Sequence, residues 1–273
     1  IQYNNSTIIT NSIPTTITGL SPNTAYSCHV SAICAPGDTS SLSTPTFFTT
    51  ACAPTLAPIN ENFDSGFTPC WSQDIINDDF DWELEDGGTP SNGTGPDDDV
   101  SIGGNYMYTE ASAPRQDGDF AIMYSEEIDL STLTNPEIRF YTHMYGSAIG
   151  ELQVDVFDNG SYTTIFNKIG EQVDAWVEEV ILINPTSTIV HFRITGILGV
   201  NANGDTWPGD IAIDEFSVVE AIANDIEVSN TIMMSNCTFS NSEQLSMEII
   251  NNGITLQSNF DVSYTVNGGQ QVF

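Results

Sequence analysis

The chain has 273 residues, room for two or three small domains, and sets 37 Asp and Glu against four Lys and Arg, for a formal charge of −33. Arg115, Arg139, Lys168 and Arg193 cannot neutralise a run of phosphates, which excludes DNA and RNA as partners and removes direct attraction to an anionic membrane surface. With 40% hydrophobic residues the chain can still build a core, and divalent cations are its natural counter-ions.

Taken in chain order, almost every segment reads as strand. "AYSCHV" and "TFFTT" come first, and a Pro-containing, apolar-poor stretch at residues 49–58 marks a boundary. "PEIRFYTHMYG" follows, then "ELQVDVFDNG", where Leu152, Val154 and Val156 alternate with polar residues before a turn at Asn159-Gly160. With "YTTIFNKIG" it forms an expected β-hairpin. "WVEEVILI", "TIVHFRITGI", "DIAIDEFSVV" and "QLSMEIINNG" repeat the pattern, with a second boundary expected at residues 218–228. No segment keeps a 3.6-residue apolar period over three turns, so the expectation is all-β, built from sandwiches or jelly rolls. The chain opens and closes inside strand-like segments and reads as a window from a longer polypeptide. Five cysteines lie without CxxC spacing, which argues against zinc; Cys52 and Cys70 are the favoured disulfide, Cys28 a candidate buried thiol.

Three resemblances follow from these segments. In "ITGLSPNTAYSCHV", Leu20, Pro22, Thr24 and Tyr26 stand as in the second half of a fibronectin type III domain, expected over 1–50. The resemblance implies a tyrosine corner, with the Tyr26 hydroxyl returned to upstream backbone. Residues 51–221 resemble a MAM jelly roll. "ENFDSGF", "CWSQD", "DDFDWEL", "TGPDDDVSIGGNYMYTEAS", "GDFAIMYS", "IRFYTHMYGSAIGELQV", "GEQVDAWVEEVI" and "GDIAIDEFSVV" occur in the family's order. Cys52 and Cys70 fall near that family's first cysteine pair, and its later pair is missing. Residues 222–273, through "EIINNG" and "FDVSYTVNGG", are similar to the start of an Ig-like, CARDB-type sandwich. The combination resembles large secreted proteins of Bacteroidota.

Catalysis finds little support. His29, His143 and His191 belong to no metal or nucleophile motif, and no GxSxG or P-loop is present. Acid pairs such as Asp78/Asp79 and Glu126/Glu127 are expected by chance in so acidic a chain. The acids suggest a different chemistry. In "IAIDEF", alternation places Ile211, Ile213 and Glu215 on one face and Ala212, Asp214 and Phe216 on the other, so one acid points inward or to a sheet edge. A buried acid needs a partner, and basic residues are scarce. The expected site is a structural Ca²⁺, with Na⁺ as the alternative, held by Glu61 or Asp64, by Asp97, Asp98 and Asp99, and by Asp214 or Glu215. Tyr106, Tyr108, Trp71, Trp82, Trp176 and Trp207 could stack on sugar faces; the MAM resemblance implies core positions for Trp82 and Trp176, whereas Trp207, in the loop "NANGDTWPGD", is expected to be exposed and ligand-facing.

The sequence thus predicts a non-catalytic, secreted or cell-surface adhesion or recognition segment, stabilised by a cation. Its expected partners are an extracellular protein or glycan and the neighbouring domains of its own polypeptide, with no nucleic acid and no membrane insertion. Two alternatives stand beside it: the accessory region of a secreted peptidase, and a carbohydrate-binding jelly roll. The sequons at Asn5, Asn92, Asn159 and Asn236 carry little meaning in a bacterial protein.

Overall fold

The computed structural model describes residues 1–3, 6–233 and 245–265, and among these every regular element is a β-strand. Two compact units divide the chain, Ile1–Val219 and Glu220–Phe273. The second contains one antiparallel pair, Ile226–Met233 with Leu245–Asn251. Asn5, Asn236, Cys237, the end of "FDVSYTVNGG" and Phe273 lie outside the described residues.

The first unit begins with a four-stranded sheet, ordered Ser6–Thr7, Gln2–Tyr3, Ala25–His29, Thr46–Thr49. Tyr26 stacks on Phe48 at 5.8 Å, and its hydroxyl accepts the Ser21 N–H at 2.8 Å, the corner geometry that the sequence implied. Cys28 is a half-buried free thiol and Cys34 an exposed one. Cys52 and Cys70 are joined, Cα to Cα 5.9 Å.

Two larger sheets follow. One runs Glu83–Glu85, Tyr106–Thr109, Ile211–Glu220, Pro136–His143, Val177–Leu182, with Ile59–Glu61 also paired to Ile211–Glu220. The other runs Ser161–Ile169, Glu151–Asp158, Ile189–Ile197, Phe120–Tyr124, Ser72–Gln73. Short Ile128–Asp129 bridges Ile189–Ile197 and Thr55–Leu56. Asn159 and Gly160 both have positive φ, 48° and 87°, which matches the right-handed twist of the hairpin they close.

Alternation builds the core. Val190, Phe192 and Ile194 point inward from one strand and Leu152, Val154 and Val156 from its neighbour. Aromatic rings fill the centre: Phe216 packs on Phe140 at 5.8 Å, on Phe192 at 5.3 Å and on Trp71 at 5.5 Å. Such rings contribute both buried area and edge-to-face contacts.

The six-stranded sheet is covered on both faces, and this positions the acidic loop. All four residues of Tyr106–Thr109 are buried. Met107 enters the main core, while Tyr106 and Tyr108 join Ala212 and Trp176 in a second cluster on the opposite face. Residues 86–105 close over that cluster. The Tyr106 hydroxyl donates to the Gly87 carbonyl at 2.6 Å, and the Trp176 indole N–H donates to the Asp98 carbonyl at 2.9 Å.

Simple alternation misplaces one residue. It put Phe216 on the face of Ala212 and Asp214, yet Phe216 is fully buried in the main core with Ile211 and Ile213. Glu215 has φ +51°, a left-handed kink that shifts the strand's phase by one residue. Asp214 stays on the strap side, and Phe216 and Val218 return to the core.

Candidate recognition sites: the acidic strap and the Trp207 cleft

The first and last strands of the sandwich lie side by side, with Glu61 opposite Phe216. This brings the "ENFD" and "IAIDEF" segments beside the strap that carries the Asp triplet. Asp64 Oδ1 accepts the Asn105 N–H at 2.9 Å. Asp99 Oδ1 accepts the Gly104 N–H at 3.0 Å, and its Oδ2 accepts the Ser101 N–H at 3.1 Å and hydroxyl at 2.5 Å. Asp214 Oδ2 accepts the Val100 N–H at 3.1 Å and Oδ1 the Glu215 N–H at 2.7 Å. Asp64, Asp99 and Asp214 therefore meet through residues 100–105.

The other predicted acids are placed apart. Glu61 accepts the Phe63 N–H at 2.8 Å, and Glu215 accepts the Asn60 amide at 3.1 Å. Asp98 Oδ1 accepts the Asp99 and Gly103 N–H groups at 3.0 and 3.1 Å. Asp97 is exposed, beside Tyr145 and Asp174 in a shallow surface cleft. The carboxylates thus serve first as acceptors for backbone amides in a loop without ladder partners. Among the described residues, no group of three or more His, Cys, Asp or Glu is arranged to hold a metal ion.

Electrostatics divide these acids. Burial pushes Asp214 up to about 7, helped by the charges of Glu215 and Asp99, against the Val100 and Glu215 amides. Burial also raises Glu61. In Asp99, burial is outweighed by hydrogen bonds from Ser101 and Gly104, and the group is held below the usual carboxylate range. Gly104 marks the tightest approach: a Cβ there would stand 1.9 Å from Asp64 Oδ1 and 2.6 Å from Asp99 Oδ2. Two carboxylate oxygens converge on that one spot.

Burial divides the aromatics. Trp71, Trp82, Tyr106 and Tyr108 are buried and Trp176 is half-buried, while Trp207 is 43% exposed. Trp207 lines a cleft of about 420 Å³ together with Arg115, Gln116, Asp117, Asp205 and Thr206. Sequence reasoning singled out Trp207 but not Arg115 and Gln116, which line the same cleft. Those two come from "APRQDG", brought to the tryptophan loop by the Gly118 N–H donating to the Leu198 carbonyl at 3.0 Å.

Each histidine meets a neighbour through one ring nitrogen. His143 is buried, with Nε2 3.4 Å from Asp174, and burial lowers its basicity. His191 Nε2 meets the Tyr162 hydroxyl at 2.9 Å, and His29 Nδ1 meets the Ser43 carbonyl at 3.0 Å. Of the acid pairs weighed for catalysis, Asp78 and Asp79 accept backbone N–H groups of Ile122 and Phe120, and Glu126 accepts the Thr55 hydroxyl.

Two stacked antiparallel sheets, an aromatic centre and a disulfide at residues 52 and 70 define a β-sandwich module of the jelly-roll kind. The chain belongs to the MAM family: the model for the MAM domain, meprin/A5/mu, matches residues 62–221. Human MAM domain-containing glycosylphosphatidylinositol anchor protein 2 is 30% identical over 198 residues, 66% of this chain and 20% of that protein. Zebrafish neuropilin-1a is 25% identical over 157 residues, 52% of this chain and 15% of that protein. The chain thus spans about a fifth or less of the curated relatives' length. Among solved structures, the K1 cleaved adhesin domain of Lys-gingipain from Porphyromonas gingivalis W83 is similar with a TM-score of 0.42 at 14% identity, covering 60% of this chain and 98% of that one. TmCBM61 in complex with β-1,4-galactotriose gives 0.39 at 15%, covering 58% and 94%.

Proposed function

We propose that this chain is a non-catalytic adhesion or recognition segment of a larger secreted or cell-surface protein, presenting its MAM sandwich to an extracellular partner. The single observation that carries the reading is the MAM match across residues 62–221. The disulfide supports an oxidising, extracellular setting. We assign the flanks to a partial fibronectin type III domain and a partial Ig-like domain, the first on the Tyr26 corner. The test is retention: beads coated with the 273-residue chain are expected to hold to cells under flow, and beads coated with a heat-denatured sample are not. Equal retention of both would remove the recognition reading.

A structural cation belongs to the same proposal. What supports it is the pair Asp64 Oδ1 and Asp99 Oδ2, converging over Gly104 with neither carboxylate in an ion pair among the described residues. Asp64 Oδ1 accepts one hydrogen bond and keeps a lone pair for a hard cation, whereas Asp99 Oδ2 accepts two from Ser101, so the rotatable Ser101 hydroxyl would turn away to admit the ion. Calcium, or sodium, would be held by these two acids, with further oxygens from water. Stripping the chain with EDTA is expected to lower its thermal midpoint, and millimolar calcium to restore it; Asp99→Asn should abolish the calcium response. A midpoint indifferent to both, in protein that metal analysis finds empty, would leave the acids as amide acceptors only.

A further inference from the structure

The Trp207 cleft is lined by several polar side chains without hydrogen-bond partners among the described residues. Three of the four basic residues are committed: Arg139 to Glu137 and Glu178, Lys168 to Glu179, Arg193 to Asp155. Arg115 is the fourth. Despite 37 acids in the sequence, it forms no ion pair among the described residues. Its guanidinium lies 4.4 Å above the Phe80 ring, and its Nε is buried with no hydrogen-bond partner. That Nε is shielded from the cleft; the outer N–H groups of the same guanidinium, which form no ion pair among the described residues, are the donors a ligand oxygen would meet. The Gln116 amide, the Asp117 carboxylate and the Trp207 indole N–H are likewise free of hydrogen bonds among the described residues.

The walls are fixed in advance. Asn201 Oδ1 accepts the N–H groups of Asn203 and Asp205 at 2.8 and 3.0 Å, and the Thr206 hydroxyl donates to the Ala111 carbonyl at 2.6 Å. Across the cleft, Asp119 Oδ2 accepts the Gln116 N–H at 2.8 Å. A site ordered before binding spends less affinity on ordering itself.

We propose that this cleft binds a pyranose ring of a neutral glycan. The chemistry of the lining selects that class. A half-exposed indole gives a flat apolar surface for a sugar face. Arg115 donates, Asp117 and Asp205 accept, and Gln116 does both, which suits hydroxyls, since each hydroxyl is donor and acceptor at once. A phosphate or other anion would meet Asp117, Asp205 and a chain of charge −33. A cation would meet Arg115. A cleft of about 420 Å³ lies within the usual small-ligand range of ~300–1,000 Å³. The inference rests on the recognition reading above and names its ligand class.

The experiment is calorimetric titration of the whole 273-residue chain with cellohexaose, mannohexaose, β-1,4-galactotriose and trigalacturonate. Saturable binding of at least one neutral oligosaccharide is expected. Trp207→Ala and Arg115→Gln should each weaken it at least tenfold with the thermal midpoint little changed. No binding of any neutral sugar, binding of trigalacturonate alone, or unchanged affinity in both variants would overturn the proposal. Bead retention on periodate-oxidised cells separates the two readings. Full retention there by wild type and by Trp207→Ala alike leaves recognition standing without the glycan; loss of retention in both cases supports it.

Discussion

Asp210 shows how one buried side chain governs pH response. It is fully buried, with Oδ1 accepting the Ala111 N–H at 3.0 Å and Oδ2 without a partner. Burial pushes its pKa up to about 7, and the charges of Glu110 and Glu83 add to the shift. The folded state therefore keeps a proton that the unfolded chain loses near pH 4. The stability this contributes is complete below about pH 4 and lost as the pH rises to about 7. One such group accounts for roughly 3–4 kcal/mol at most. Urea unfolding of the wild type should show stability falling across that window. Asp210→Asn keeps the acceptor for Ala111 and should flatten about half the fall, because Asp214 titrates in the same direction. A slope equal to the wild type's would remove Asp210 as its cause. At this scale the sequence was legible where chemistry is scarce: Trp207 stands out as a large ring in a turn-rich loop. Arg115 did not, because what distinguishes it is the absence of an acid beside it, a property of the fold.

Strands were legible through their period. The Asn159-Gly160 hairpin follows from two local facts, alternating residues and a dipeptide that tolerates positive φ. The Ile211–Glu220 strand was half legible. Its hydrophobic content is plain, but period-2 counting fails at Glu215, where a left-handed residue resets the phase. The kink lets Asp214 reach the Val100 amide while Phe216 returns to the aromatic centre. The strap of residues 86–105 has no period to read, and its form comes from carboxylates and indoles gripping backbone groups. The connection from Cys52 to Cys70, 18 residues apart, is held covalently. A loop of about that size is worth roughly 3 kcal/mol through restriction of the unfolded chain. Cys52→Ser should lower the denaturant midpoint accordingly with the far-ultraviolet β signal kept. A midpoint unchanged by the substitution would mean that packing alone fixes this segment.

For the whole molecule, charge sets the background. At −33 the chain repels itself, and any added salt screens that repulsion, shortening the Debye length from ~30 Å at 0.01 M to ~10 Å at 0.1 M. The calcium test above is therefore read against sodium chloride at equal ionic strength. Tetramethylammonium chloride at the same ionic strength supplies screening without a hard cation: a rise common to all three salts is screening, and an excess under calcium or sodium is the bound ion. Composition, strand period and ordered short motifs, all local or additive properties, by themselves determined the all-β class and the MAM family. They also pointed to Cys52 and Cys70, which flank the entry to the MAM segment and stand near the first cysteine pair that the resemblance implies. Tertiary structure decided the rest. It turned the acid triplet into a strap over a second apolar cluster, brought Asp64 and Asp99 together over Gly104, and left Arg115 without an ion pair beside Trp207. Each of these depends on which groups distant in sequence become neighbours, and on how burial prices a charge or a hydrogen bond once they do.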